Sequence, residues 1–361
     1  MRVNGDKLRL VRLAMRCRQT DMASMLDIPQ SHLSAMENHA RPVPDSLISR
    51  LSFMSGFPLD YLAEPLRIEL PSSSALWYRK ARDKYRKSEE GQAYCQLVFD
   101  TFEPLTHSLS ARPVMLRPIK DCSPIEAADH VRHTLKARRS TPIENLTFQA
   151  ELAGVRVIGI GIPALATKDI ELGSSAEDGD EFEAFSFWTR DELPVVFIRS
   201  DIAPDRYNWA LAHELIHLVM HSSYTGSIRD AERQGQEGTS ELLLPRDAMV
   251  DSFASGTSVR QFCAIAQRWN VSLKSAVLRA AQLDIMNDGN KRYYLGADRN
   301  GAGAGVQVRR QKPRFYRQMC EVLFGNPVSP SEVARRIRSA RTLVQDVLSA
   351  HSGAPENLLD S

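Results

Sequence analysis

Apolar positions recur at spacings of three and four through the first fifty residues: Leu8, Val11 and Met15; Met22 and Leu26; Leu33 and Met36; Leu47, Ile48 and Leu51. That period matches the helical turn, so the stretch predicts a small helical domain in which each helix turns one apolar stripe to a shared core. Residues 19–26 and 29–38 then read as two short helices joined by a tight turn at Asp27-Ile28, a helix-turn-helix arrangement. Further helices are predicted from about 89 to 108 and from 123 to 137, with Pro113 and Pro118 marking the break between them. The second opens on Ser123-Pro124-Ile125-Glu126, which combines a serine N-cap, a proline at the first helical position and a glutamate two further on.

Residues 207–221 have few helix breakers and an apolar majority, the pattern of a buried helix. Ser329-Pro330-Ser331-Glu332 starts a final helix through about Leu348, and the last ten residues are expected to be disordered. Leu70-Pro71-Ser72-Ser73-Ser74 reads as a loop. So does Gly301-Ala302-Gly303-Ala304-Gly305, which is too regular and isolated to cradle a phosphate.

Composition narrows the class. At 361 residues and 43% hydrophobic content the chain supports two or three domains with buried cores. No apolar run reaches the roughly 18 residues of a membrane helix, and Met1–Arg18 is too charged for a secretory signal, so cytoplasmic localisation without a membrane partner is expected. Cys17, Cys95, Cys122, Cys263 and Cys320 are odd in number and widely spaced, which fits reduced packing thiols. The formal net charge of +2 does not mark the whole chain as a nucleic-acid binder, yet Lys7, Arg9, Arg12, Arg16 and Arg18 gather on or beside the first helix. The stretch from Trp77 to Lys87 interleaves aromatics with basic residues, as a solvated helix face or a set of phosphate contacts would.

The chemistry concentrates in His213-Glu214-Leu215-Ile216-His217. Four residues apart on a helix, the two histidines stack on one face and reach one metal ion, while Glu214 points elsewhere and can act as a base. Zinc lowers the pKa of a coordinated water toward roughly 7, and a carboxylate can take its proton as it attacks a carbonyl. Such a site needs a third protein ligand, and Asp230, Glu232, Glu237 and Glu241 all stand downstream. Gly235 and Gly238 each cost a helix about 1 kcal/mol relative to alanine, so a frayed or bent helix is expected around those candidates. His221 continues the histidine face one turn on, as a group behind the ligands or a hydrogen-bonded core histidine. Arg206 and Tyr207 are candidates to polarise a scissile carbonyl.

From Thr141 to Asp247 the chain resembles the ImmA/IrrE-type metallopeptidases, bacterial proteases linked to repressor cleavage. Pro142–Leu146 with Glu151–Val157 is similar to the helix and first strand of that family. Ala184–Trp188 and Leu193–Ile198 resemble its strand pair, Arg206–His221 its Arg-x-x-x-x-x-Ala-His-Glu-x-x-His-x-x-x-His pattern, and Leu242-Leu243-Leu244-Pro245 its closing motif. The resemblance implies zinc on His213, His217 and Glu232, the last lying ten residues before Leu242, with Glu214 as general base in gluzincin-like chemistry. It also implies that Gln236 stands where an acidic or amide residue braces a ligand histidine. The region around Trp269–Val277 is similar to the accessory helices that follow this family's active site.

Residues 5–66 resemble the lambda-repressor-like XRE family, with Gln19-x-x-x-Ala23 in the second helix and Leu33-Ser34-x-x-Glu37-Asn38 closing the third. This implies that the third helix enters the major groove, with Gln30, Ser31 and His32 toward base edges and Gln19 beside them. A glutamine pairs bidentately with adenine. Arg41, together with Arg12 and Arg16, is a candidate phosphate contact, which positions without specifying. Pro29 replaces the family's polar N-cap, so this helix starts differently.

The expected architecture is multidomain and mainly α with an α+β part. It comprises a five-helix helix-turn-helix bundle at 1–66, a helical connector at 67–118, a zincin-like α+β metallopeptidase domain with a small sheet at 119–250 and a helical accessory region at 251–361. The expected function is a DNA-binding transcriptional regulator with a zinc-dependent endopeptidase domain. Its expected partners are double-stranded operator DNA, a protein substrate that is a repressor or the chain itself (cut between Leu66 and Lys87), and a second copy in a homodimer. The alternatives are a non-catalytic repressor or antitoxin whose peptidase fold serves as sensor or dimerisation module, and a zinc protein with no DNA role.

Overall fold

The computed structural model describes residues 4–68, 70, 85–109, 113–161, 165, 183–222, 224, 226–252 and 258–351. The loop at 71–74, the basic stretch as far as residue 84 and the tail from 352 lie outside them. The chain forms two compact units, one of Met1–Ala111, Ile158–Phe182 and Arg314–Ser361, the other of Arg112–Val157 and Glu183–Pro313.

The first unit begins with α1 (Gly5–Ala14), α2 (Gln19–Leu26), α3 (Gln30–Glu37), α4 (Asp45–Ser55) and α5 (Leu59–Ala63), followed by the long α6 (Tyr85–Thr106). Every apolar position of the opening pattern, from Leu8 to Leu51, is buried. The turn between α2 and α3 is made by Asp27 in the left-handed region at φ 56°, which a short polar side chain tolerates. Pro29 caps α3 with extended backbone and no side-chain hydrogen bond. Two of the basic residues on α1 face inward. Lys7 is fully buried, donates to the Tyr61 carbonyl at 2.9 Å and lies 3.4 Å from Asp100. Arg12 grips Glu37 through Nε at 2.5 Å and Nη2 at 2.8 Å.

The second unit holds α7 (Pro124–Thr134), α8 (Leu146–Leu152), β2 (Ala184–Trp188), β3 (Pro194–Arg199), α9 (Pro204–Met220) and α10 (Ile228–Leu243). After these come α11 (Arg246–Ser252), α12 (Val259–Arg268), α13 (Leu273–Gln282) and α14 (Asp288–Arg299). The division between the units falls within β1 (Arg156–Ile160), and the strands form one sheet in the order β1-β3-β2. β2 and β3 are antiparallel, with Ser186 opposite Val196 and Trp188 opposite Pro194. Ser123 and Glu126 form the reciprocal cap expected at the start of α7.

Helix α9 packs on β2 and β3, and α10 packs on α7 and α9. Leu211, Leu215, Ile216 and Val219 of α9 are all fully buried in this core, and each such side chain stabilises the fold by about 1.5–3 kcal/mol. Arginines pin the segment that closes α10. Arg132 donates to the Leu242 carbonyl and Arg279 to the Leu244 carbonyl, both at 2.9 Å, and Arg139 and Arg279 both bind Glu241. Asn270, left-handed at φ 57°, makes the tight turn between α12 and α13.

Two elements differ from the sequence reading. Ala302–Gly305 forms a short 3-10 turn inside the glycine-rich segment. In the first unit, α15 (Phe315–Phe324) is followed not by one final helix but by α16 (Pro330–Ile337) and α17 (Arg341–Ala350), which pack on each other. Arg338 separates them with φ 55°. The buried stripe Val333, Ile337, Ala340, Val344 and Val347 keeps helical spacing straight through the break, so periodicity alone does not reveal it.

Candidate metal centre

Helix α9 starts with Pro204 at its first turn and runs for 17 residues, which places His213, His217 and His221 one above another on one face. His213 is only 2% exposed. Helix α10 returns alongside, capped by Ser227. His221 pairs with Gln234, and His213 pairs with Thr239 further along α10, so the two helices run antiparallel.

This hairpin brings Glu232 to the histidines. Its carboxylate oxygens lie 3.5 Å from Nε2 of His213 and 3.6 Å from Nε2 of His217, and the three ligand atoms all lie within 4.8 Å of one another. The other acidic candidates are engaged elsewhere. Asp230 is held by Ser227 in the N-cap of α10, Glu237 lies 3.8 Å from Arg233 in an exposed pair, and Glu241 is buried between Arg139 and Arg279.

Hydrogen bonds set the imidazole tautomers. Thr239 donates its hydroxyl proton to the Gly235 carbonyl at 2.7 Å, so at 3.3 Å it accepts from Nδ1–H of His213 and leaves Nε2 with a lone pair. Burial pushes the His221 imidazole below its ordinary pKa, favouring the neutral ring. Its Nε2–H donates to Oε1 of Gln234 at 3.0 Å, so its Nδ1 accepts from Nδ1–H of His217 at 2.8 Å. His217 then also presents a lone pair at Nε2, only 2.8 Å from Nε2 of His213.

Two facing lone pairs beside a carboxylate make a donor set for a cation. Two imidazoles and one carboxylate suit zinc by donor type, and its bonds of about 2.0–2.2 Å place tetrahedral donors roughly 3.4 Å apart, close to both carboxylate distances and wider than the 2.8 Å between the two Nε2 atoms. The residues present therefore fit the metal.

Gly235 permits this approach. A Cβ there would meet Cε1 of His213 at 2.8 Å and Nε2 of His217 at 3.0 Å. At Gly238 a Cβ would meet Cγ2 of Ile216 at 2.8 Å. Both glycines sit inside a continuous α10, so the expected fraying or bending is absent: packing against α9 outweighs their local propensity cost.

Glu214 leaves the histidine face and is 7% exposed. Ser186, the hydroxyl residue midway along the largely apolar β2, donates to its Oε2 at 2.8 Å. Ser186, Gln234 and Thr239 were not singled out by sequence. Ser186 carried a signal as a lone hydroxyl in an aromatic strand, and Thr239 as a residue two turns after Glu232 on the same face. Gln236 does not brace a histidine in the observed hydrogen bonding; that role falls to Thr239 and His221. Arg206 pairs with Glu183, and Tyr207 is 1% exposed within the core, with burial raising its hydroxyl pKa.

In the first unit, the predicted base-reading residues group at the starts of α2 and α3. Gln30 donates to Gln19 at 2.7 Å, and Gln19 donates to Glu37 at 2.8 Å, the carboxylate also held by Arg12. Gln30 and Ser31 are exposed and His32 is half-buried. Arg41 is exposed after the end of α3.

Residues 170–281 match the model of the Peptidase_M78 family, described as the IrrE N-terminal-like domain. The match spans less than a third of the chain, includes His213, Glu214, His217, Glu232 and Leu242–Pro245, and reaches nearly to the end of α13. It supports the peptidase part of the resemblance, while residues 141–169 precede it. No curated protein matches the chain.

Proposed function

We propose that this chain is a zinc-dependent endopeptidase joined to a DNA-reading helical bundle, and that it regulates transcription by cutting a repressor or itself. The observation that carries the peptidase reading is the convergence of His213, His217 and Glu232 beside a separately held Glu214. In this reading the two Nε2 atoms and the Glu232 carboxylate hold the metal. Zinc, when bound, supplies a Lewis acid that makes water a nucleophile at neutral pH. Glu214 accepts the water proton and returns it to the departing amine, as a general base then acid. Ser186 fixes the plane of that carboxylate from β2. Among the described residues β2 has a strand on one side only, so an extended peptide can pair along its other edge next to Glu214.

The DNA reading draws on the Arg12–Glu37–Gln19–Gln30 chain of hydrogen bonds, which supports an exposed glutamine at the head of α3. A major-groove helix needs such a polar group to read a base edge.

The test uses the full-length chain, with metal content measured after dialysis and with random-sequence duplex DNA added. About one tightly held zinc per chain and zinc-dependent cleavage of the chain or of a peptide library, abolished in Glu214→Gln, are expected. Zinc binding without hydrolysis overturns the enzyme in favour of a metal-holding sensor module, and equal cleavage by Glu214→Gln overturns the assignment of Glu214 as the base.

A further inference from the structure

From the Ser258 cap of α12 to Lys312 the chain carries ten lysines and arginines against three acidic residues. The formal net charge of the whole chain is only +2, so the remainder is net acidic and the basic excess belongs to this stretch of the second unit. Helices α12 and α13 contain no acidic residue. Phe262 and Ala266 bury one side of α12. Its outer face is Arg260, Gln261, Ala264, Gln267 and Arg268, all exposed and within one helical stripe.

Three of the basic residues converge at the turn between α12 and α13. Oδ1 of Asn270, the left-handed residue of that turn, accepts from the backbone N–H of Arg309 at 2.8 Å. Arg268 stands two residues before Asn270, so their backbones lie at most about 7 Å apart. After the turn, Lys274 lines one cavity with Val308, the residue before Arg309. Arg268, Lys274 and Arg309 are exposed, and none of them forms an ion pair among the described residues. Asp205 and Asp298 share the cavity with Lys274 without pairing to it. Elsewhere in the unit Arg117, Arg139, Arg206 and Arg233 each hold a carboxylate.

Three uncompensated cations around one exposed turn repel each other, and a polyanion removes that repulsion. Duplex DNA presents one charge per about 1.7 Å of its axis, so cations this close meet separate phosphates at once. The arginine fork also matches phosphate geometry bidentately. An anionic membrane fits less well, because a helix lying on lipid needs large apolar side chains outward and the outer face of α12 has none.

We propose that the turn between α12 and α13 grips the phosphate backbone of duplex DNA through Arg268, Lys274 and Arg309, without reading sequence. Such contacts add affinity and position the protein but do not specify a site. The choice of DNA as the polyanion rests on the DNA reading of the helical bundle; the convergence of the three cations does not.

The full-length protein and a triple variant (Arg268→Ala, Lys274→Ala, Arg309→Ala) are titrated into labelled duplexes of several unrelated sequences between about 50 mM and 200 mM salt. In the triple variant affinity at the lower salt is expected to fall at least about tenfold for every duplex alike, with the salt slope shallower by about 2–3. The three side chains are exposed, so an unchanged circular-dichroism spectrum separates lost binding from lost fold. Lysine at positions 268 and 309, which keeps the charge, should restore the slope. An unchanged slope in the folded triple variant overturns the assignment and leaves the bundle reading standing, since that reading is judged by the sequence preference lost in Gln30→Ala. A uniform loss in the triple variant, with no sequence preference in any of the proteins, upholds the turn contact and overturns base reading by α3. Phosphatidylserine vesicles are the comparison: binding to them that the triple variant loses, while duplex binding stays intact, overturns DNA as the occupant.

Discussion

Thr239 accepts a hydrogen bond from Nδ1 of His213 across 3.3 Å because its own proton is committed to the Gly235 carbonyl at 2.7 Å. One hydroxyl on α10 thereby fixes which nitrogen of His213 on α9 carries the lone pair. Thr239→Val keeps the shape and removes the acceptor. Zinc affinity, read by competition with a chromophoric chelator, is expected to fall about 10-fold to 100-fold, with Thr239→Ser close to wild type.

Glu241 and Arg279 form a buried pair, their side chains 4% and 6% exposed. Removing the carboxylate leaves a guanidinium without its partner in the core, which costs about 3–5 kcal/mol. Glu241→Ala should lower the urea midpoint accordingly while zinc per folded chain stays unchanged. Glu232→Ala should do the reverse, losing metal with little loss of apoprotein stability. Equal metal loss in both would return Glu241 to the ligand set.

His130 on α7 has a buried Nε2 with no hydrogen-bond partner among the described residues, and burial lowers its pKa from the ordinary value. The folded protein therefore binds this proton less readily than the unfolded chain. The resulting stability is present above the unfolded value of about 6.5 and is lost as pH falls through the lower folded value. His130→Leu should flatten part of the decline in urea midpoint between about pH 7.5 and pH 5. An unchanged slope would show that the group does not titrate differently on folding.

The proposed DNA reading gives Gln30 the base contact and Arg41 the phosphate contact. In binding selections from random duplex DNA, Gln30→Ala should relax preference at one base pair by about 1–3 kcal/mol. Arg41→Ala should weaken binding to all sequences alike and reduce the salt slope by about one. If neither change alters binding, α3 does not face DNA.

Much of the local structure was legible in the chain. The stripe from Leu8 to Leu51, the capping residues around Ser123 and the spacing of His213 and His217 each depend on residues within a few turns of one another. Local periodicity and capping chemistry therefore sufficed. The break at Arg338 was not legible, since no glycine or proline marks it and the apolar spacing continues across it. The glycines at 235 and 238 read as weaknesses because propensity counts only the helix that contains them. Their value lies in how closely α9 approaches.

By itself the sequence determined that two histidines four residues apart and the glutamate between them sit on one buried helix, and that a small helical bundle precedes them. Only the tertiary structure brings Glu232, of the four acidic candidates, beside the two histidines, because that proximity depends on where α10 returns beside α9. It alone also joined Ser186 to Glu214 and Thr239 to His213. These pairs are 26 to 28 residues apart in the chain, and no periodic pattern encodes a distance that arises when separate elements pack.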